Sequence, residues 1–264
     1  MLFDNVQRWS YAVPQVKEVI CQLRFPTILT INEKSPADFQ EAIRDAFPRY
    51  ECRKQAPAPR LVGVGTPNAK LEQGDPVTHH IFLSSTGLWK IILTQDSFAI
   101  STTRYNAWED LAQRLDRPLA EFIRIYHPAY FQRIGLRYLN MFSRKELRLE
   151  DTPWRELFHP AYLGVLNDPA LDEKCVGKAS TETQLTFPDQ SHLTLRTGPG
   201  RLKLGNQMEA DVRFIVDIDC SVSGQLSGSI VPEKLSLLHG HASAIFRGAI
   251  TETLHNAMGP TLPL

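Results

Sequence analysis

Tyr130-Phe131-Gln132-Arg133-Ile134-Gly135-Leu136-Arg137-Tyr138-Leu139-Asn140-Met141-Phe142 alternates strictly at its centre. Ile134, Leu136 and Tyr138 fall on one side, and Arg133, Gly135 and Arg137 on the other. A period of two marks a strand with one apolar face. The same rhythm occurs earlier in Val16 to Phe25, where Val19, Cys21, Leu23 and Phe25 oppose Ile20, Gln22 and Arg24. Each stretch opens a similar series of elements.

After the first strand, Ser35-Pro36-Ala37-Asp38 predicts a helix start: Ser35 as cap, Pro36 in the first turn, Asp38 at the positive end. Phe39, Ile43 and Phe47 form its stripe, and Pro48 stops it. Residues 55–78 are rich in Pro and Gly and read as loop, with a short strand at Leu61 to Val64. An antiparallel meander follows at His80 to Ser84, Leu88 to Thr94 and Phe98 to Thr103. Asn106 and Glu109 have capping-box spacing ahead of a helix reaching Tyr126, which Pro118 should kink or divide.

After Phe142 the order returns. Asp151-Thr152-Pro153-Trp154 opens a short helix, and a loop surrounds Asn167-Asp168-Pro169. Strands are predicted at Lys178 to Phe187, His192 to Thr197 and Val212 to Val222, with the Gly-Pro-Gly at 198–200 read as a turn. Pro232 opens a helix to about Met258, roughly 40 Å long, with Leu235, Leu238, Ala242, Ile245, Phe246, Ala249 and Thr253 facing inward. The expected fold is α+β: two pseudo-repeated β-α-antiparallel sheet-α halves, 1–129 and 130–264, packed as one unit with the long helices on one face of the sheets.

Charge excludes some partners. The 264 residues carry 29 Lys and Arg against 29 Asp and Glu. The balance holds in each half, so neither attracts phosphate backbones or anionic lipid as a whole. A basic stretch of Arg44, Arg49, Arg53, Lys54 and Arg60 reads as a helix end and loop; it supports at most weak nucleic-acid binding. Cys21, Cys52, Cys175 and Cys220 are far apart, as suits a reducing cytosol. No signal-peptide core and no apolar run of membrane-spanning length is present, so a soluble cytoplasmic protein is expected.

The chain lacks G-x-x-x-x-G-K-[ST], G-x-G-x-x-G, H-E-x-x-H and G-x-S-x-G patterns. His79 and His80 would point to opposite faces of a strand, and His239 and His241 to different sides of a helix, so neither pair starts a metal site. Hence no catalytic residue, metal ligand or cofactor is expected. Asp211, Arg213, Asp217 and Asp219 share one strand face, and Arg24, Arg133 and Arg137 lie opposite the apolar face of their own strands. The arginines could bind a carboxylate or phosphate, or pair internally with Asp217 and Asp219.

Pro14-x-Val16-x-Glu18-Val19 leading to Arg24-Phe25, Tyr105 with Trp108, and Arg133-Ile134-Gly135-Leu136-Arg137-Tyr138-x-Asn140 resemble the signature of a patchily distributed bacterial protein family known by a catalogue number. The resemblance implies a shared fold and a bacterial cytosolic setting, with mobile defence or toxin–antitoxin cassettes as the genetic context. It supplies no activity. The reading carried forward is a non-enzymatic protein-binding module acting as regulator, antitoxin or accessory subunit. The candidate partner- or ligand-binding residues are Arg24, Arg133, Arg137, Asn140, Asp217 and Asp219. A ligand-binding or hydrolytic enzyme with its site on a concave sheet face is the alternative.

Overall fold

The computed structural model describes residues 9–56, 60–62, 70–72, 76–204 and 207–263. Nine strands form one antiparallel sheet: β1 (Val16–Arg24), β2 (Arg49–Gln55), β3 (Val77–Leu83), β4 (Trp89–Leu93), β5 (Ser97–Thr102), β6 (Phe131–Ser143), β7 (Thr181–Thr186), β8 (His192–Gly200) and β9 (Arg213–Leu226). Their spatial order is β7-β8-β9-β6-β1-β5-β4-β3-β2. The two stretches whose alternation marks them as strands, β1 and β6, lie side by side at the centre. Cys21 faces Leu136, and Ile20 faces Arg137.

That register carries one apolar row across the sheet, from Leu193 through Cys220, Leu136, Cys21, Ile100 and Ile91 to Phe82. All seven are fully or almost fully buried. Two 19-residue helices cover this face, α2 (Trp108–Tyr126) and α3 (Val231–Ala249), with the shorter α1 (Ala37–Ile43) beside α2. Phe122 of α2 packs on Phe25, Phe98 and Phe131, while α3 lies on β6 and β9. The mix of helices and a large antiparallel sheet is α+β, with both long helices on one face.

Several local expectations need correction. Neither Ser35 nor Asn106 caps a helix: α1 begins after Pro36 and α2 after Ala107, both without a side-chain cap. Each predicted cap stands one residue too early, which puts Glu109 at the second helical position, short of capping-box geometry. Pro118 does not divide α2; it is buried within a continuous helix, held by Leu111, Leu115, Leu119 and Phe122 on both sides of it.

The last predicted helix is two. α3 stops at Ala249, Ile250 turns extended to bridge Phe158, and Thr251 caps α4 (Glu252–Ala257). α3 alone is about 28 Å long, and Thr253 is exposed rather than inward-facing. Gly198-Pro199-Gly200 is strand, not turn: it continues β8 against Ile215, Phe214 and Arg213. Pro199 is tolerated because β7 has already ended on its other side. At Gly198 a Cβ would meet the Ala179 carbonyl oxygen at 2.3 Å.

Arg49 to Gln55, predicted as helix end and loop, is the edge strand β2. Its charged, mostly exposed side chains suit an edge that must not recruit another strand. Within that basic stretch Arg44 pairs with Glu41 and Arg53 with Glu51. The Arg60 side chain and the residues that would complete the Leu61 to Val64 strand lie outside the described residues, which place Arg60–Val62 in a strand. No helix among them is long and apolar enough to cross a membrane.

Candidate binding site

Four of the six predicted site residues meet on the sheet face turned away from the helices. Arg137 donates two hydrogen bonds to Asp217, from Nε at 2.6 Å and Nη2 at 2.7 Å. This hydrogen bonding, opposed by burial, raises the Arg137 pKa above its ordinary value. Arg133 donates to Asp219 at 2.8 Å, and Arg196 extends the ladder to Glu182 at 2.7 Å. The Arg133 guanidinium lies over Gly135, where a Cβ would make it shift.

Arg24 does not join them; it pairs with Asp96 at 3.1 Å. Asn140 belongs to the other face altogether. Two residues on from Tyr138, it points to the helix side and is 1% exposed. Its Nδ2 donates to the Val216 carbonyl at 3.0 Å, while Oδ1 has no hydrogen-bond partner. The arginines and aspartates therefore satisfy one another, and the asparagine lies on the far side of the sheet.

Asn140 instead forms part of a cavity of about 340 Å³ between the sheet and the helices. Tyr138 and Ile218 supply sheet wall; Tyr105, Trp108 and Glu109 come from the entry to α2; His239, Ser243, Phe246 and Arg247 come from α3. Trp9 and Tyr11 complete it from an N-terminal arm, Trp9–Tyr11, which pairs with Pro260–Pro263. The volume is at the lower end of small-molecule sites.

The hydroxyls of these rings serve internal contacts. Tyr138 Oη lies 2.8 Å from His239 Nδ1, and Tyr11 Oη 3.0 Å from His255 Nδ1. Burial pushes the Tyr11 phenol up to about 12 and the Tyr138 phenol well above its ordinary value, so both stay protonated. Burial, helped by Arg247, lowers the His255 pKa, which keeps that ring neutral. The Trp108 ring stacks on His239 at 4.8 Å and 8°. Ring carbon thus makes up much of the wall.

Ser243 Oγ is 3.5 Å from His239 Nε2, at the limit of a hydrogen bond. The Nδ1 partner is a neutral phenol, whereas a nucleophilic relay places a carboxylate there to stabilise the imidazolium. Cys21 and Cys220, on the same sheet face beside the wall residues Tyr138 and Ile218, have thiols pushed up to about 12 by burial, which disfavours the nucleophilic thiolate.

Tyr105, Trp108, Tyr138 and Asn140 stand within the motif segments read from the sequence; Phe246 carries only an inward-facing core reading there and His239 only an excluded metal reading, while Trp9 and Tyr11 carry no signal. Rings from four separated segments meet only once β1 and β6 pair. No protein-family model matches the chain, and no curated protein matches it.

Proposed function

We propose that the protein is a non-catalytic binding protein whose ligand seats its apolar part in the cavity beneath the N-terminal arm. The observation that carries this is a convergence: six aromatic side chains from separated segments line a cavity of about 340 Å³. Four unpaired cysteines, two of them buried, support a reducing cytosol. The test is titration of an apolar fluorescent probe against wild type and a plugged variant, Ser243→Trp, with folding checked by circular dichroism. Loss of binding in the folded plugged variant supports the reading. Equal binding by both removes the cavity as the site.

A protein partner on the uncovered sheet face is the second reading, as regulator, antitoxin or accessory subunit in a defence-type cassette. Its support is a half-buried apolar row, Ile81, Ile92 and Ala99, paired across β3, β4 and β5 beside the ion-pair ladder. Co-purification from a native host, with Ile92→Glu as control, tests it; a partner retained by that variant does not use this face.

The halves 1–129 and 130–264 also support an internal duplication. Outward from the central seam, each half places its first strand, then its last, then the preceding ones in reverse, β1-β5-β4-β3-β2 and β6-β9-β8-β7, the first half carrying the edge strand β2 in addition. A long helix follows the last strand of both.

A further inference from the structure

Resting on the cavity reading, we propose that the ligand is an organic ammonium ion, an amine carried on a compact apolar or aromatic body. Three independent features of the wall favour positive charge. The first is the aromatic surface, since ring faces attract cations through their quadrupole, Trp most strongly. Trp9 and Trp108 are both on the wall.

The second is an acceptor left over. Asn140 Oδ1 is buried without a partner, while its Nδ2 is held by the Val216 carbonyl and so fixes which way the amide points. A buried acceptor without a donor is costly, and an ammonium N–H or a water bound with it supplies one. The third is the charge balance. Arg247 is on the wall, but its Nη2 pairs with Glu252 and its Nη1 reaches the Ile250 carbonyl at 3.4 Å. Glu109, at the rim, has no ion pair or side-chain hydrogen bond among the described residues.

The positive end of α2 points the other way, towards anions, yet its first turn carries Glu109 on the wall, beside an Asp110 that is paired with Arg114 at 3.2 Å. The full charge of the Glu109 carboxylate outweighs a partial charge of about half an elementary charge. An anionic ligand would meet Glu109, a carbonyl oxygen and an arginine already compensated. An ammonium meets the aromatic faces, Asn140 Oδ1 and the Glu109 carboxylate.

Three probes of one shape decide the matter: 2-phenylethylammonium, 2-phenylethanol and phenylacetate at pH 7.5. Binding is read by isothermal calorimetry and by tryptophan fluorescence, to which the wall residues Trp9 and Trp108 contribute two of four indoles. The ammonium should bind about tenfold tighter than the alcohol, with phenylacetate weakest. Glu109→Gln, an exposed position, should narrow the gap between ammonium and alcohol. Equal affinities, or a preference for phenylacetate, overturn the ammonium proposal but leave the cavity as a binding site. If none of the three binds at millimolar concentration, both fall.

Discussion

His80 is 5% exposed, with the Tyr50 hydroxyl 2.9 Å from Nδ1 and the Ile31 carbonyl 3.0 Å from Nε2. Burial lowers its pKa below 6.5, and His79 adds to the effect while the Ile31 hydrogen bond opposes it. The folded state therefore binds fewer protons than the unfolded state once pH drops below about 6.5, and stability falls with acidification there. His255 acts in the same direction. Thermal unfolding between pH 7.5 and 5.0 should show this decline, and His80→Gln should flatten it. Identical slopes for the two proteins would mean that His80 is not held neutral. The ion-pair ladder offers a second residue-scale contrast. Asp217 has a side chain only 7% exposed, against 30% for Asp219. Asp217→Asn should cost about 1–2 kcal/mol, because Arg137 is left half-exposed rather than sealed off. Asp219→Asn should cost under about 1 kcal/mol. Urea midpoints that rank them the other way would show that burial does not set the difference.

Helices α2 and α3 sit on the same face of the sheet but differ in how fully their aromatic side chains are covered. Phe122 is fully buried between Phe25, Phe98 and Phe131, whereas Phe246 is half-buried between Phe142, Tyr11 and the cavity. Phe122→Ala should cost about 3–5 kcal/mol. Phe246→Ala should cost roughly half as much, because part of the ring already borders open volume and little new cavity forms. Denaturant titration gives both values; a Phe246 loss equal to that of Phe122 would mean a closed wall. The spacing of Leu238, Ile245 and Phe246 read them as one buried stripe, which holds for the first two and only in part for the third. Period-two strands such as β1 and β6 were legible because one face is buried and the other is not. β2 was not, since Arg49–Gln55 has little apolar side to show. The break at Ile250 was hidden for a related reason: Ala249, Ile250 and Leu254 are all buried, so hydrophobic spacing continues through a backbone that changes direction. The cavity was illegible because spacing along a chain says nothing about which distant rings converge.

The seam between β1 and β6 makes the molecule's halves dependent on one another. β6 pairs with β1 on one edge and with β9 on the other, so the strand opening residues 130–264 has its full hydrogen bonding only when residues 1–129 are present. The helix side of the seam adds shared core: Phe131 from the second half packs on Phe25 and Phe122 from the first. The cavity also draws Tyr105 and Trp108 from one half and Tyr138 and His239 from the other. Separating the halves would expose both an unpaired strand edge and an apolar row, the combination that promotes aggregation. Unfolding in urea should accordingly be one cooperative transition, with tryptophan fluorescence and far-ultraviolet circular dichroism coinciding. A fragment 130–264 produced alone should be insoluble or lack cooperative unfolding. Co-expression with 1–129 should restore a soluble pair that binds the same cavity ligands. Two separable transitions, or a cooperatively folding 130–264 fragment, would show that the seam is an interface between independent domains rather than the middle of one sheet.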